Sequence, residues 1–298
     1  MLIRLIRPAH WIKNLIVLFP VIFAVRMYDA RSWALAAVVG IAFCLASSSM
    51  YVVNDIVDRN RDRLHPSKNS RPIAAGLVKV PHAWVLAFAL SVVAMAIASA
   101  MGTGVVIVVG GYLVLTLAYT FFLKSKMLLD VIALSLGFVL RAAGGALAIG
   151  VELSPWLFIV TFTICLFMGY CKRFSEIAIL DQAMATNHRP TLAGYSVELL
   201  THLVTLSAGV SIVAFLLYAT SPRTVGHYGT HHLIYTLPLV IYGVTRFAML
   251  SMKGQYSDPT ELLLRDRPFQ ITAVLWTLMA AAVILYGQRL EHWLPAGR

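Results

Sequence analysis

Nine runs of about twenty mostly apolar residues divide this 298-residue chain, and a run of that length can cross a hydrocarbon core roughly 30 Å thick. They fall at 12–28, 33–53, 83–101, 104–123, 127–149, 155–175, 200–220, 232–251 and 269–288. Lipid offers no hydrogen-bond partners, so each run must satisfy its own backbone as a helix. The expectation is an all-α membrane protein of nine transmembrane helices, one domain over 1–298. With 59% hydrophobic and 12% charged residues, little chain is left for a soluble domain. The first run follows Arg4, Arg7 and Lys13 but contains Pro20 and lacks a small-residue cleavage site, so it reads as a retained helix.

Basic residues collect on alternate connections. Arg59, Arg61, Arg63, Lys68, Arg71 and Lys79 follow the second run, Lys124 and Lys126 the fourth, Lys172 and Arg173 the sixth, and Lys253, Arg265 and Arg267 the eighth. The intervening connections hold Arg26, Arg31 and Arg223. The positive-inside rule then puts the N-terminus and the long polar stretches 54–82, 172–199 and 252–268 on the cytoplasmic side of the plasma (inner) membrane. Nucleic acid is not the expected partner of the +11 net charge, because the basic residues are spread over membrane-flanking connections. Cys44, Cys165 and Cys171 lie in apolar runs, without disulfide or zinc spacing. His227, His231 and His232 read as residues of an outer loop.

Polar chemistry concentrates where the second run ends. Asp55, Asp58 and Asp62 stand at i, i+3 and i+7, with Asn54 one turn before Asp58, so their oxygens can converge on a hard cation. Such a site suits Mg2+ carrying a diphosphate. Lys68 and Arg71, within His65-Pro66-Ser67-Lys68 and Arg71-Pro72-Ile73-Ala74-Ala75-Gly76, can neutralise phosphate oxygens that the metal leaves uncovered. A second cluster, Lys172, Arg173 and Glu176, ends the sixth run, where one carboxylate can orient two cations. Either cluster could instead be a solvated charged loop or a helix-end salt bridge.

Other candidates are more isolated. Arg141 lies eleven residues past Asp130, about 16 Å along a helix, too deep to reach the interface easily; Gly144 and Gly145 beside it permit close helix packing. Tyr119, Lys124 and Asp130 bracket the connection between the fourth and fifth runs and could complete a phosphate-binding rim. Lys13 and Asn14, after Arg7-Pro8 and Trp11, belong to an interfacial anchor or a cavity wall. Arg265 and Asp266, following Asp258-Pro259-Thr260-Glu261, could form a lid or cap a helix.

Taken together, these residues resemble the UbiA superfamily of intramembrane transferases, whose first signature matches Asn54, Asp55, Asp58 and Asp62. The resemblance implies a helical bundle with a cavity open to the cytoplasm and Mg2+ bound by those four residues. Prenyl-transferring members carry a second aspartate-rich motif where this chain has Lys172, Arg173 and Glu176. The chain looks closer to a subgroup that joins phosphoribosyl diphosphate to a polyprenyl phosphate. That likeness runs through Arg7-Pro8 with Trp11, Lys13 and Asn14; the stretch 54–76; Phe138 to Ala142; Lys172, Arg173 and Glu176; and Leu264 to Arg267. Phosphoribosyl diphosphate has a C1 diphosphate and a separate 5-phosphate, which calls for an acid cluster and a cationic one. The resemblance implies that Asp55, Asp58, Asp62, Lys172, Arg173 and Glu176 carry the chemistry. Lys68, Arg71 and Lys124 would grip phosphate at the rim, and Lys13, Asn14 or Arg141 would meet the lipid phosphate. The product would be a pentose donor for cell-envelope glycans. Competing readings are an aromatic polyprenyltransferase of the same superfamily and a transporter whose buried charges line a path.

Overall fold

The computed structural model describes residues 2–64, 68–179, 194–256 and 259–293, and no strand occurs among them. His65, Pro66, Ser67 and Asp258 lie outside the described residues. Eight described helices are long and apolar enough to cross a membrane: Ala30–Val57, Val80–Met101, Thr103–Phe121, Leu129–Ala148, Pro155–Ala178, Val197–Thr220, His232–Met252 and Arg267–Gln288. The first of the nine expected runs is instead a shorter apolar stretch, Pro8–Phe23. The chain forms two compact units, Met1–Ser154 and Pro155–Arg298.

In the first unit, α1 (Leu2–Ile6) leads into a 3-10 helix, Pro8–Leu18, and α2 (Phe19–Phe23). Then come α3 (Ala30–Val57), α4 (Arg59–Leu64), α5 (Val80–Met101), α6 (Thr103–Phe121), a short 3-10 turn at Leu123–Ser125 and α7 (Leu129–Ala148). Central to this unit is α3, which packs against α5, α6, α7 and the N-terminal 3-10 helix. It starts where the Asp29 carboxylate accepts the Arg31 amide, and its small residues let neighbours approach. Ala83, Ala87, Ala94 and Ala98 are the buried residues of α5, spaced so that they form one stripe. Ser47, Ser48 and Ser49, about 100° apart around the axis, reach different partners. The Ser48 hydroxyl donates to the Ile6 carbonyl (2.7 Å) and that of Ser49 to the Ala87 carbonyl (2.7 Å), while Ser47 accepts from Asn14.

The winding of residues 8–18 explains why the first run is short. A 3-10 helix repeats every three residues, which puts Trp11, Asn14 and Val17 on one line facing α3 and α7. Trp11 Nε1 donates to Ser48 Oγ (3.0 Å), and Asn14 and Val17 are buried. Arg7 pairs with Asp55 at one end, and Val21 shares an apolar cluster with Ala36 at the other. A 3-10 helix rises about 2.0 Å per residue against about 1.5 Å in an α-helix, so residues 8–18 reach further along α3 than an α-helix of equal length. Stretched winding thus lets a short segment run alongside nearly the whole of α3.

The second unit comprises α8 (Pro155–Ile179), α9 (Val197–Thr220), α10 (Pro222–Tyr228), a 3-10 turn at His232–Thr236, α11 (Leu237–Met252), α12 (Pro259–Arg265) and α13 (Arg267–Trp293). Its core includes a chain of rings, Phe167, Phe247 and Phe269, with successive centroids 5.6 and 5.9 Å apart. Ser196 and Ser221 cap α9 and α10 by accepting the amides of Leu199 and Thr224.

Close packing at Gly145 holds the 3-10 helix against α7: a Cβ there would overlap the Val17 carbonyl, whereas one at Gly111 meets nothing within 4 Å. Gly145→Ala should therefore cost about 3 kcal/mol, the upper end for overpacking. Gly111→Ala should be neutral or gain up to about 1 kcal/mol of helix propensity. Thermal unfolding of the two variants in detergent measures the contrast, and equal midpoints would contradict this packing.

Candidate active site

The acid motif straddles the end of α3. Asn54 and Asp55 lie in its last turn, Asp58 is its C-cap, and Asp62 sits in α4, with the Asp58 and Asp62 amides still donating four residues back. On a nearly continuous helix, residues seven apart differ by only about 20° around the axis, whereas the i+3 residue is displaced by about 60°. Asp55 and Asp62 accordingly converge while Asp58 turns aside. Arg71 Nη1 bridges the pair, 3.1 Å from Asp55 Oδ1 and 2.7 Å from Asp62 Oδ2. Arg7 pairs with the same Asp55 oxygen and lies over the Tyr51 ring, 5.2 Å from its centroid. Asp58 Oδ1 receives Lys124 Nζ at 2.6 Å. Three carboxylates are thus matched by three cations.

Local sequence explains the placements. Pro72, Ile73 and Ala74 are buried, and Ile73 enters the cluster of Leu5, Met50, Val53 and Ala83. Arg63 Nε donates to the Ala74 carbonyl (3.0 Å), and Gly76 supplies the positive φ of 75° that turns the chain. The apolar residues after Arg71 therefore act as a plug that holds its guanidinium between two acids. Lys124 is delivered by the 3-10 turn following α6. Half-buried Lys68 and Tyr119 lie in the turn before Arg71 and near the end of α6.

A divalent cation fits the converging pair on the chemistry of its donors: two buried carboxylates already share one positive nitrogen, and a hard cation prefers such oxygens. Among the described residues, no group of three or more His, Cys, Asp or Glu stands in metal-holding geometry, and Asp58 is paired with Lys124. The expected convergence of three acids thus reduces to two with the third nearby.

Arg141 is buried in α7. Its Nε donates to Asn14 Oδ1 (2.6 Å), Nη1 to the Gly137 carbonyl (2.9 Å) and Nη2 to the Tyr112 hydroxyl (2.9 Å). The rings of Tyr112 and Phe138 lie 4.4 and 5.2 Å from its central carbon. Lys13 is half-buried on the same 3-10 helix as Asn14.

In the second unit, Arg173 is 1% exposed and ion-paired with Glu176, with half-buried Lys172 beside it. The Ser175 hydroxyl donates to the Ser251 carbonyl (3.0 Å), tying α8 to α11. Asp266 caps α13 by accepting the Phe269 amide (2.8 Å) and takes Arg246 through two bonds, at 2.7 and 2.8 Å. The Arg246 hydrogen bonds and then the Phe269 amide hold its carboxyl below the ordinary aspartate range. Arg265 is 71% exposed and pairs with Glu261 at 3.1 Å. Sequence reasoning gave Arg7 no role at the acid cluster, although Arg-Pro ahead of an apolar run next to an acid motif is the signal that points to it.

The paired acids thus sit at the end of an apolar helix of an all-helical integral membrane protein. The chain belongs to the UbiA prenyltransferase family, matched over residues 15–265. It is 35% identical over 296 residues to the decaprenyl-phosphate phosphoribosyltransferase of Mycolicibacterium smegmatis, covering 96% of this chain and 92% of that protein. The enzyme of the same name from Mycobacterium tuberculosis is 31% identical over 289 residues, covering 96% of this chain and 94% of its own. A UbiA homolog from Archaeoglobus fulgidus, solved bound to GPP and Mg2+, has the same fold, with a TM-score of 0.71 at 20% identity over 95% of this chain and 99% of that one.

The shared guanidinium predicts a metal-linked stability effect. Arg71→Ala leaves two buried acids with one cation fewer and should lower the melting midpoint in metal-free buffer. Mn2+ should then stabilise the variant more than the parent, because the competing cation is gone. Equal metal-induced shifts in the two proteins would contradict a metal position between Asp55 and Asp62.

Proposed function

We propose that this protein transfers a 5-phosphoribosyl group from phosphoribosyl diphosphate to a polyprenyl phosphate of the decaprenyl type, releasing pyrophosphate. The observation that carries this reading is the likeness to decaprenyl-phosphate phosphoribosyltransferases along nearly the whole chain. The site chemistry agrees: the first unit presents paired acids with cations bonded to them, and the second presents Lys172 beside the Arg173–Glu176 pair where a prenyl-diphosphate enzyme would carry more acid.

In this reading Asp55 and Asp62, with Asp58 and Asn54 beside them, hold Mg2+, which when bound offsets diphosphate charge and improves the leaving group. Arg71 and Arg7, displaced from the carboxylates, turn their donors to phosphate oxygens, and Lys124 does the same from Asp58. The C1–O bond to diphosphate breaks as a lipid-phosphate oxygen bonds to C1, and the bonding pair leaves with pyrophosphate. Positive charge developing at the ribosyl centre is offset by the anionic lipid phosphate that attacks it. The attacking phosphate monoester is already anionic at neutral pH, so no strong general base is required. Lys172 supplies the cation for the 5-phosphate, and Arg173, sealed against Glu176, fixes the helix end that presents it. The lysine and arginine pattern supports a cytoplasmic face for this chemistry in the plasma membrane.

Detergent-purified protein given phosphoribosyl diphosphate, Mg2+ and polyprenyl phosphate should release pyrophosphate only when all three are present. Asp58→Ala and Lys172→Ala should each lose at least about 100-fold in rate, as expected when charge stabilisation at the reacting centre is removed. Turnover with a prenyl diphosphate and an aromatic acid instead would select the aromatic polyprenyltransferase reading.

A further inference from the structure

Arg141 carries a guanidinium whose described neighbours are neutral acceptors and aromatic faces: the Asn14 amide oxygen, the Gly137 carbonyl, the Tyr112 hydroxyl and the rings of Tyr112 and Phe138. Burying a guanidinium at this depth is costly, so its retention calls for a role. Direct substrate contact fits poorly, because all three guanidinium nitrogens donate to protein and the residue is 6% exposed. The contact that leads out of this pocket is the shortest, Nε to Asn14 at 2.6 Å.

Asn14 is the middle anchor of the 3-10 helix. Its side-chain amide also reaches Cys44 Sγ (3.2 Å) and Ser47 Oγ (3.4 Å), while Trp11 holds Ser48 and Val17 is wedged against Gly145. That helix begins at Arg7, whose backbone is left-handed (φ 49°, ψ 63°), a conformation an arginine adopts only when its surroundings force it. Arg7 in turn pairs with Asp55. A planar fork is needed at residue 141 to bond Asn14, Gly137 and Tyr112 together, which an ammonium on a flexible stem does not reproduce.

We infer that Arg141 is a positioning residue: acting through Asn14, it fixes the register of the N-terminal 3-10 helix and so delivers the Arg7 guanidinium to Asp55. Its effect on catalysis is therefore exerted at the far end of that helix.

Hydrogen–deuterium exchange on the full-length protein in detergent, without metal or substrate, tests this directly. In Arg141→Lys, and independently in Asn14→Ala, exchange should rise about tenfold in peptides covering residues 3–13, the scale set by loss of one charge-assisted bond. Peptides from α5, which makes no contact with Arg141 or Asn14 named above, should stay at the parent's rate. A kinetic arm rests on the donor proposed above: Arg141→Lys should raise the KM for phosphoribosyl diphosphate, and the double variant Arg7→Ala/Arg141→Lys should be no worse than Arg7→Ala alone. Exchange rising throughout residues 1–154 would mean a general structural role and overturn the proposal, as would unchanged exchange at residues 3–13. Additive KM effects would mean direct contact with substrate and also overturn it. A parent protein that fails to turn over phosphoribosyl diphosphate would count against the donor, while the exchange result would still be readable.

Discussion

Two carboxylates buried side by side at the end of an apolar helix exist only if something positive lies between them. Each would cost several kcal/mol to desolvate alone, and each raises the cost of the other. Arg71 meets that demand by bridging Asp55 and Asp62, and Arg7 adds a second charge to Asp55. Much of the first unit's architecture supports these contacts. The buried Pro72–Ala74 plug seats Arg71, the stretched N-terminal helix seats Arg7, and the turn after α6 aims Lys124 at Asp58.

Such a cluster is balanced without a ligand and can rearrange when one arrives. A divalent cation placed among the acids makes the arginine and lysine redundant there, while a diphosphate accompanying it offers them new acceptors. On the function proposed above, the side chains that neutralise these acids are the ones offered to the diphosphate. The contacts that set their positions lie away from the chemistry: Asn14 with Arg141, Val17 with Gly145, and Ile73 with the core below α3.

Much of this was legible in the sequence. Eight of the nine apolar runs are long helices within a few residues of their expected bounds, because length and hydropathy alone decide a lipid-facing helix. The first run was less legible, since Trp11, Asn14 and Val17 suit a period of three or of 3.6 and only packing against α3 selects the tighter winding. Grouping Asp55 with Asp62 follows from helical spacing, but the pull of Lys124 on Asp58 crosses sixty-six residues and has no local signature. Asp266, ahead of Arg267-Pro268, carries the mark of a helix start, and in the structure it accepts the Phe269 amide and pairs with Arg246. Arg141 stood out for its depth, yet its ties to Asn14 and Tyr112 depend on tertiary packing.

The proposed function requires that the C1–O bond of phosphoribosyl diphosphate breaks and that the ribosyl group moves to lipid. Phosphoribosyl diphosphate labelled with carbon-14 in the ribose and phosphorus-32 in the terminal phosphate, incubated with purified protein, Mg2+ and polyprenyl phosphate, tests it most directly. Carbon-14 is expected in the organic extract and phosphorus-32 in water as pyrophosphate. Phosphorus-32 entering the lipid, or carbon-14 remaining wholly aqueous beside active prenyl transfer to an aromatic acid, would contradict it.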